Sequence, residues 1–197
     1  MTTAVIAGYV RTPFALAKKG PLAEKRPDDL AALAIRALVD RSDLDPMLLE
    51  DVIMGCSYPE GPQGSNIARI ALLLAGLPDT VAGATVNRFC GSSMYAIHMA
   101  AGQIALGAGE AIVAAGVESM SMVPQGGLSP SRNPRFLPDN TGRHRKLNST
   151  GSMSFPPGAD AQDAGFGDVE LMKIGAAPLA KFDIPHRPVR HICPGHM

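Results

Sequence analysis

Over its first 124 positions the chain alternates short apolar runs with stripes at helical spacing. Ala4 to Val10 is an apolar run, strand-like in length and β-branching, and Arg11-Thr12-Pro13-Phe14 ends it. Arg26-Pro27-Asp28-Asp29 opens a helix, because proline suits the first helical position and acids suit the first turn of the helix dipole. Leu30, Leu33, Ala34, Ala37 and Leu38 then recur with the helical period. Asp51 to Cys56 reads as a second strand. Asn66 to Ala75 reads as a helix, with Asn66 placed to cap it and Gly76 to stop it. Thr80 to Asn87 is a third strand, Ser92 to Leu106 a long helix stopped by Gly107, and Ala111 to Gly116 a fourth strand, apolar throughout. Strands alternating with helices predict an α/β unit with parallel pairing and helices on both faces of the sheet.

The alternation stops near Pro124, which sets residues 1–124 apart as one domain. Residues 125–197 read as a loop-like tail, disordered or truncated. The stretch RNPRFLPDNTGRHRKLNSTGSMSFPPGADAQDAG is rich in Gly, Ser, Pro, Asn and Arg and has little apolar period. A structureless loop of that length is unusual inside a compact domain. Within the tail, Val169 to Ile174 is one short element, helix or strand.

Composition narrows the function classes. The 197 residues suffice for one good core and a small second unit, and 46% hydrophobic with 18% charged is a globular balance. Lys+Arg and Asp+Glu are equal at 18 each, so net charge points to neither nucleic acid nor an acidic membrane surface. Cys56, Cys90 and Cys193 form no C-x-x-C pair, which argues against a metal ribbon or a disulfide framework and fits a reducing compartment. The opening residues lack the features of a secretory signal, and no apolar stretch approaches the roughly 18 residues of a membrane span. A cytoplasmic protein is expected. His144, His186, His191 and His196 lie in the tail without ligand-like spacing, so no metal site is expected. No phosphate-binding G-x-G-x-x-G or G-K-[ST] occurs.

Cys90 is the residue whose position is chemically specific. It follows a buried-looking strand and opens a helix through Gly91-Ser92-Ser93. A thiol there meets the positive end of the helix dipole and unpaired backbone N–H groups, which favour the attacking thiolate. Gly91 lets the chain turn sharply and a substrate approach, and Ser92 and Ser93 are placed to cap the helix. The layout is that of a nucleophile on an elbow at the carboxyl end of a strand. The same local features also fit an inert, buried cysteine. Cys56 lacks the Gly-Ser-Ser elbow and reads as core or pocket wall; Cys193 is given no role. His98, two helical turns beyond Cys90, reads as a packing or surface residue, and the stripe Met94, Ile97, Ala101, Ile104 as core.

Several ordered motifs resemble one family. Asn87-Arg88-Phe89-Cys90-Gly91-Ser92-Ser93 matches N-x-x-C-x-S-[GS], and Ala115-Gly116-Val117-Glu118-Ser119-Met120-Ser121 is similar to G-G-x-E-[SN]-M-S, both signatures of the thiolases. VIAGYVRTPF resembles that family's opening strand and R-T-P-[FI] turn, and DVIMGCSYPEGPQGSNIARIALLLAGLP its second strand and following helix. The likeness runs from about Val5 to about Pro134. It implies a thiolase-like N-terminal domain: a mixed, mostly parallel sheet with helices on both faces, the first half of a five-layer αβαβα fold, followed here by an irregular tail. It implies that Cys90 is the acyl-accepting nucleophile of an acetyl-CoA C-acyltransferase type of reaction in fatty acid metabolism. It also implies coenzyme A thioesters as substrates with no bound cofactor, and a homo-oligomer, dimer or tetramer, with the strand before the nucleophile at the interface.

The resemblance also implies what to miss. Family members are about twice as long, and their second half supplies a G-H-P histidine, an N-E-A-F oxyanion segment and a C-x-G-x-G acid/base cysteine. None of these motifs is in this sequence, and the terminal CPGHM differs in spacing and context. The chain therefore reads as an incomplete acyltransferase, since one missing oxyanion donor alone costs about 10²–10³ in rate. The alternative is an inactive thiolase fragment, or a subunit that needs a partner chain. A fatty-acid or polyketide condensing enzyme would carry T-A-C-S-S at the nucleophile. A cysteine hydrolase would need a histidine that the ordered part offers only as His98.

Overall fold

The computed structural model describes residues 3–129, Ser131 and the strand Glu170–Gly175. The elements are β1 (Val5–Arg11), α1 (Pro27–Arg41), β2 (Asp51–Gly55), α2 (Ile67–Leu74), β3 (Ala82–Val86), α3 (Ser92–Ala105), β4 (Ala111–Gly116) and β5 (Glu170–Gly175), with single 3-10 turns at Pro46–Leu48 and Gly61–Gln63. The strands form one sheet in the order β1-β5-β4-β2-β3. β2 is parallel to both β3 and β4, while β5 is antiparallel to both β4 and β1. β1 to β4 thus share one direction and β5 alone opposes them, a mixed, mostly parallel sheet.

β5 is the segment that the sequence left open between helix and strand. It lies inside the stretch read as a loop-like tail, and it enters the sheet between β1 and β4. Pairing explains why a strand is wanted there. β4 is buried at every residue, so an unpaired edge would strand its N–H and C=O groups away from water. The remainder of the tail, 132–169 and 176–197, with His144, His186, His191, Cys193 and His196, lies outside the described residues.

Alternation along the strands splits the core in two. Val52 and Met54 of β2, with Val113 and Ala115 of β4, join the apolar stripes of α1 and α2, including Leu30, Ala34, Ile35, Leu38, Ala71 and Leu72. Ile53, Ile112 and Ala114 point the other way and meet Ala96, Ala100 and Ile104 of α3. Helices therefore cover both faces, as the alternation predicted. Cys56 is buried in the first of these clusters, so it is core. Proline at the start of α1 sits at the first helical position, and acids occupy its first turn.

Two local expectations change. The stripe of α3 that meets the sheet is Ser92, Ala96, Ala100 and Ile104, whereas Met94 is mostly exposed, and Ile97 and Ala101 lie on the flank. The small side chains face the strands because α3 lies too close to the sheet for larger ones. The clearest sign is Gly55, at the end of β2, where an added Cβ would fall 2.4 Å from the Ser92 carbonyl carbon and the Ser93 nitrogen. Asn66, expected to cap α2, instead adopts a left-handed φ of 58° and makes no side-chain cap bond. Its amide donates to the Gly83 carbonyl and accepts from the Thr85 hydroxyl, each at 2.8 Å. Thr85 Oγ1 in turn accepts the Ala68 N–H at 3.2 Å, so β3 supplies the cap.

Replacing Gly55 by alanine pushes a methyl group into helix backbone, which cannot swing aside as a side chain would. We expect Gly55→Ala to lower stability by about 1–3 kcal/mol, read as a lower urea midpoint at unchanged slope.

Candidate active site

Parallel register brings the functional positions to one edge. Gly55 is the register partner of both Val86 and Gly116, so the chain leaves β2, β3 and β4 at the same level. The residues that follow, Cys56, Asn87 and Val117, begin three loops at the carboxyl edge of the sheet, where α/β folds build their sites. Cys90 lies in the loop from β3 to α3, and its thiol is free and exposed.

A tight turn presents it. Phe89 has a left-handed φ of 50°, rare for a bulky residue and worth about 1–3 kcal/mol of local strain. Bonds on both sides enforce that conformation. The Phe89 N–H donates to Asn87 Oδ1 at 2.8 Å. The Gly91 N–H donates to the Arg88 carbonyl at 3.1 Å and the Ser92 N–H to the Phe89 carbonyl at 3.0 Å. Ser92, expected to cap the helix, buckles the turn instead: its hydroxyl accepts the Arg88 N–H at 2.8 Å and donates to the Phe89 carbonyl at 2.6 Å. Gly91 takes the N-cap position with no side-chain cap bond, and the Tyr95 N–H donates to the Gly91 carbonyl at 2.9 Å. Cys90 therefore directly precedes the cap of a helix whose first-turn N–H groups lack a side-chain acceptor.

Aromatic contacts steady the two residues before the thiol. The Arg88 guanidinium stacks over the Tyr95 ring at 4.2 Å from its centroid. Phe89 meets Tyr58 edge-on, with centroids 6.3 Å apart.

A hydrogen-bonded cluster, joined to the turn through Asn87, links the loops after β2, β3 and β4; sequence reasoning has Asn87 and Glu118 as motif positions and gives them no role. Glu118, just beyond β4, accepts the Ser57 N–H at 2.7 Å and the Gln63 amide at 2.8 Å. Gln63 is fully buried; its amide also donates to the Tyr58 carbonyl at 2.8 Å, and its oxygen accepts the Ser119 N–H. Asn87 Nδ2 donates to the Ser57 carbonyl at 2.9 Å. The signal was there to find. Glu118 is the one charged residue between Ala111 and Pro124, and a lone acid two positions past a wholly buried strand needs dedicated donors.

The other candidates fall away from this site. Burial, and then the charge of Glu118, pushes the Cys56 thiol up to about 12, which keeps it protonated and inert. His98 is exposed on α3. Among the described residues no cluster of three His, Cys, Asp or Glu side chains could hold a metal ion, and no helix is long and apolar enough to cross a membrane.

Residues 4–150 match the family model described as thiolase, N-terminal domain. The chain is 47% identical over 127 residues to a 3-ketoacyl-CoA thiolase of Bacillus subtilis, covering 64% of this chain and 32% of that protein. It is 49% identical over 125 residues to a steroid 3-ketoacyl-CoA thiolase of Mycobacterium tuberculosis, covering 63% of this chain and 30% of that protein. Its structure aligns with the crystal structure of the Bacillus anthracis acetyl-CoA acetyltransferase at a TM-score of 0.58 and 37% identity, over 68% of this chain and 35% of that one. The chain thus spans about a third of the length of these relatives.

The contrast between the two thiols is measurable. At neutral pH a small alkylating reagent should modify Cys90 in the folded chain and reach Cys56 only on unfolding. The buried thiol also sets a pH dependence. Its proton is held up to about 12 when folded and released near the ordinary 9.0 when unfolded, so stability falls as pH rises between those values. Urea midpoints across that window should decline less steeply for Cys56→Ala; equal slopes would show that the thiol is not held protonated.

Proposed function

The chain belongs to the thiolase family, and from that premise we propose that it accepts an acyl group from an acyl-coenzyme A on Cys90. The observation that carries this is the exposed thiol on a strained, hydrogen-bonded turn at the carboxyl edge of the sheet, at the family's N-x-x-C position. The Cys90 sulfur attacks the thioester carbonyl carbon. As the new carbon–sulfur bond forms, the bond to the coenzyme A sulfur breaks, and coenzyme A leaves as a thiolate that takes up a proton. Attacking and leaving sulfurs have similar basicity, so the exchange runs near balance. The acyl group then passes to a second thioester or back to a coenzyme A thiol. Coenzyme A thioesters are the substrates, with no bound cofactor; 3-ketoacyl chains are the substrate class that the names of the relatives support, and fatty acid metabolism is the setting that we propose. A homo-oligomer in the cytoplasm completes the proposal.

One observation favours a further reading, in which another polypeptide segment supplies the acid/base and oxyanion groups. Near the two ends of α3, Met94 is 59% and Leu106 85% exposed, single apolar side chains that an added segment would cover. In that case Cys90 is acylated here while turnover needs the added segment.

Intact mass after incubation with acetyl-CoA or acetoacetyl-CoA should show an acyl adduct that is absent from Cys90→Ala. An adduct that persists without product release supports the need for a further segment. No adduct on a folded chain overturns the acyltransferase proposal.

A further inference from the structure

We propose that Glu118 is a positioning residue for Cys90, acting through a relay of side chains that ties the ends of β4, β2 and β3 together. This rests on the reading of Cys90 as the acyl acceptor. Cys90 hangs from the end of β3, and its height above the sheet depends on how that end is held. Two links hold it. Glu118, after β4, accepts the Ser57 N–H at 2.7 Å and so fixes the first residues after β2. Asn87, after β3, donates to the Ser57 carbonyl at 2.9 Å and accepts the Phe89 N–H at 2.8 Å, which holds Phe89 in its left-handed conformation one residue before the thiol. Ser57 is the shared member, bonded through its N–H to one strand end and through its carbonyl to the other.

Gln63 makes the relay specific for a carboxylate. Its oxygen is taken by the Ser119 N–H, so its amide must face Tyr58 and Glu118 as a donor. Glu118 is thus met by two donors and must accept from both, each bond strengthened by its charge. An amide at position 118 has one oxygen for two donors. Whichever way it turns, or if Gln63 turns instead, one donor faces a donor, or an acceptor an acceptor. The isosteric change Glu118→Gln therefore strains the cluster while keeping its shape.

The test is a double-mutant cycle on the purified chain, using Glu118→Gln, Asn87→Ala and the double variant. Two rates are measured: acylation of Cys90 at saturating acetyl-CoA, and alkylation of Cys90 by iodoacetamide. Thermal unfolding confirms that each variant folds. Acylation requires the thiol in register with a bound thioester, where a misplacement of about 1 Å costs on the order of 100-fold. Alkylation requires only an exposed thiol. We expect each single variant to lose about 10- to 100-fold in acylation while alkylation stays near wild type, and the double variant to fall within about two-fold of the worse single, because both cut the same relay. Unchanged acylation in Glu118→Gln, or losses that multiply in the double variant, would overturn the positioning role while leaving Cys90 as acceptor. If the wild type itself forms no adduct, the acceptor reading fails and the positioning role falls with it. Should Glu118→Gln not fold, Glu118→Asp takes its place in the cycle, since it keeps the charge but is too short to span both donors.

Discussion

The backbone of Ser92 and Ser93 lies so close to Gly55 that no Cβ fits between them, and the site is arranged around that contact. It seats the first turn of α3 directly on the end of β2. It demands small residues on the helix face below, which is why Ala96 and Ala100 meet the sheet while Met94 turns outward. With the helix seated there, the chain must pass from Val86 to Ser92 in very few residues, and the left-handed Phe89 is how that passage closes. An exposed Cys90 at the head of the helix is the outcome.

Packing of this kind is rigid but indifferent to chemistry; polar bonds supply the direction. Around the Gly55 contact, Ser92 buckles the turn from the helix side and Asn87 from the strand side. Glu118 and Gln63 brace the floor. The exposed and the buried cysteine, Cys90 and Cys56, show how one sheet edge presents one thiol and buries another. Both follow strands at the same edge, but Cys56 sits within the apolar cluster with its proton held, whereas Cys90 is carried past the strand end by the turn.

Much of the fold was legible because burial imposes periods on sequence. The apolar runs of β2 and β4 and the proline-led stripe of α1 each state their partner surfaces. The turn that carries Cys90 was legible for a local reason, since a glycine and two serines after a strand suit a turn into a helix. Ser92, Asn66 and the α3 stripe were misread at the level of individual side chains. The sequence places each beside a helix terminus or on a helix face, but for Asn66 and the α3 face the partner comes from an element distant along the chain, β3 and β2 respectively, while Ser92 turns back on Arg88 and Phe89 of its own turn. The helix-or-strand choice at Glu170–Gly175 likewise depended on a vacancy between β1 and β4 that no local pattern records.

By itself, then, the sequence determined the α/β alternation, the two-sided core, the nucleophile-like elbow at Cys90 and the family. All are local or periodic properties, written in the spacing of apolar residues and in short motifs. The tertiary structure alone decided the entry of β5 into the sheet, the one-residue rotation of the α3 stripe, and the gathering of Glu118, Gln63, Ser57 and Asn87 in the loops after β2, β3 and β4. All three depend on distances between residues far apart along the chain, 30 to 61 positions in the Glu118 cluster, which packing sets and sequence order does not.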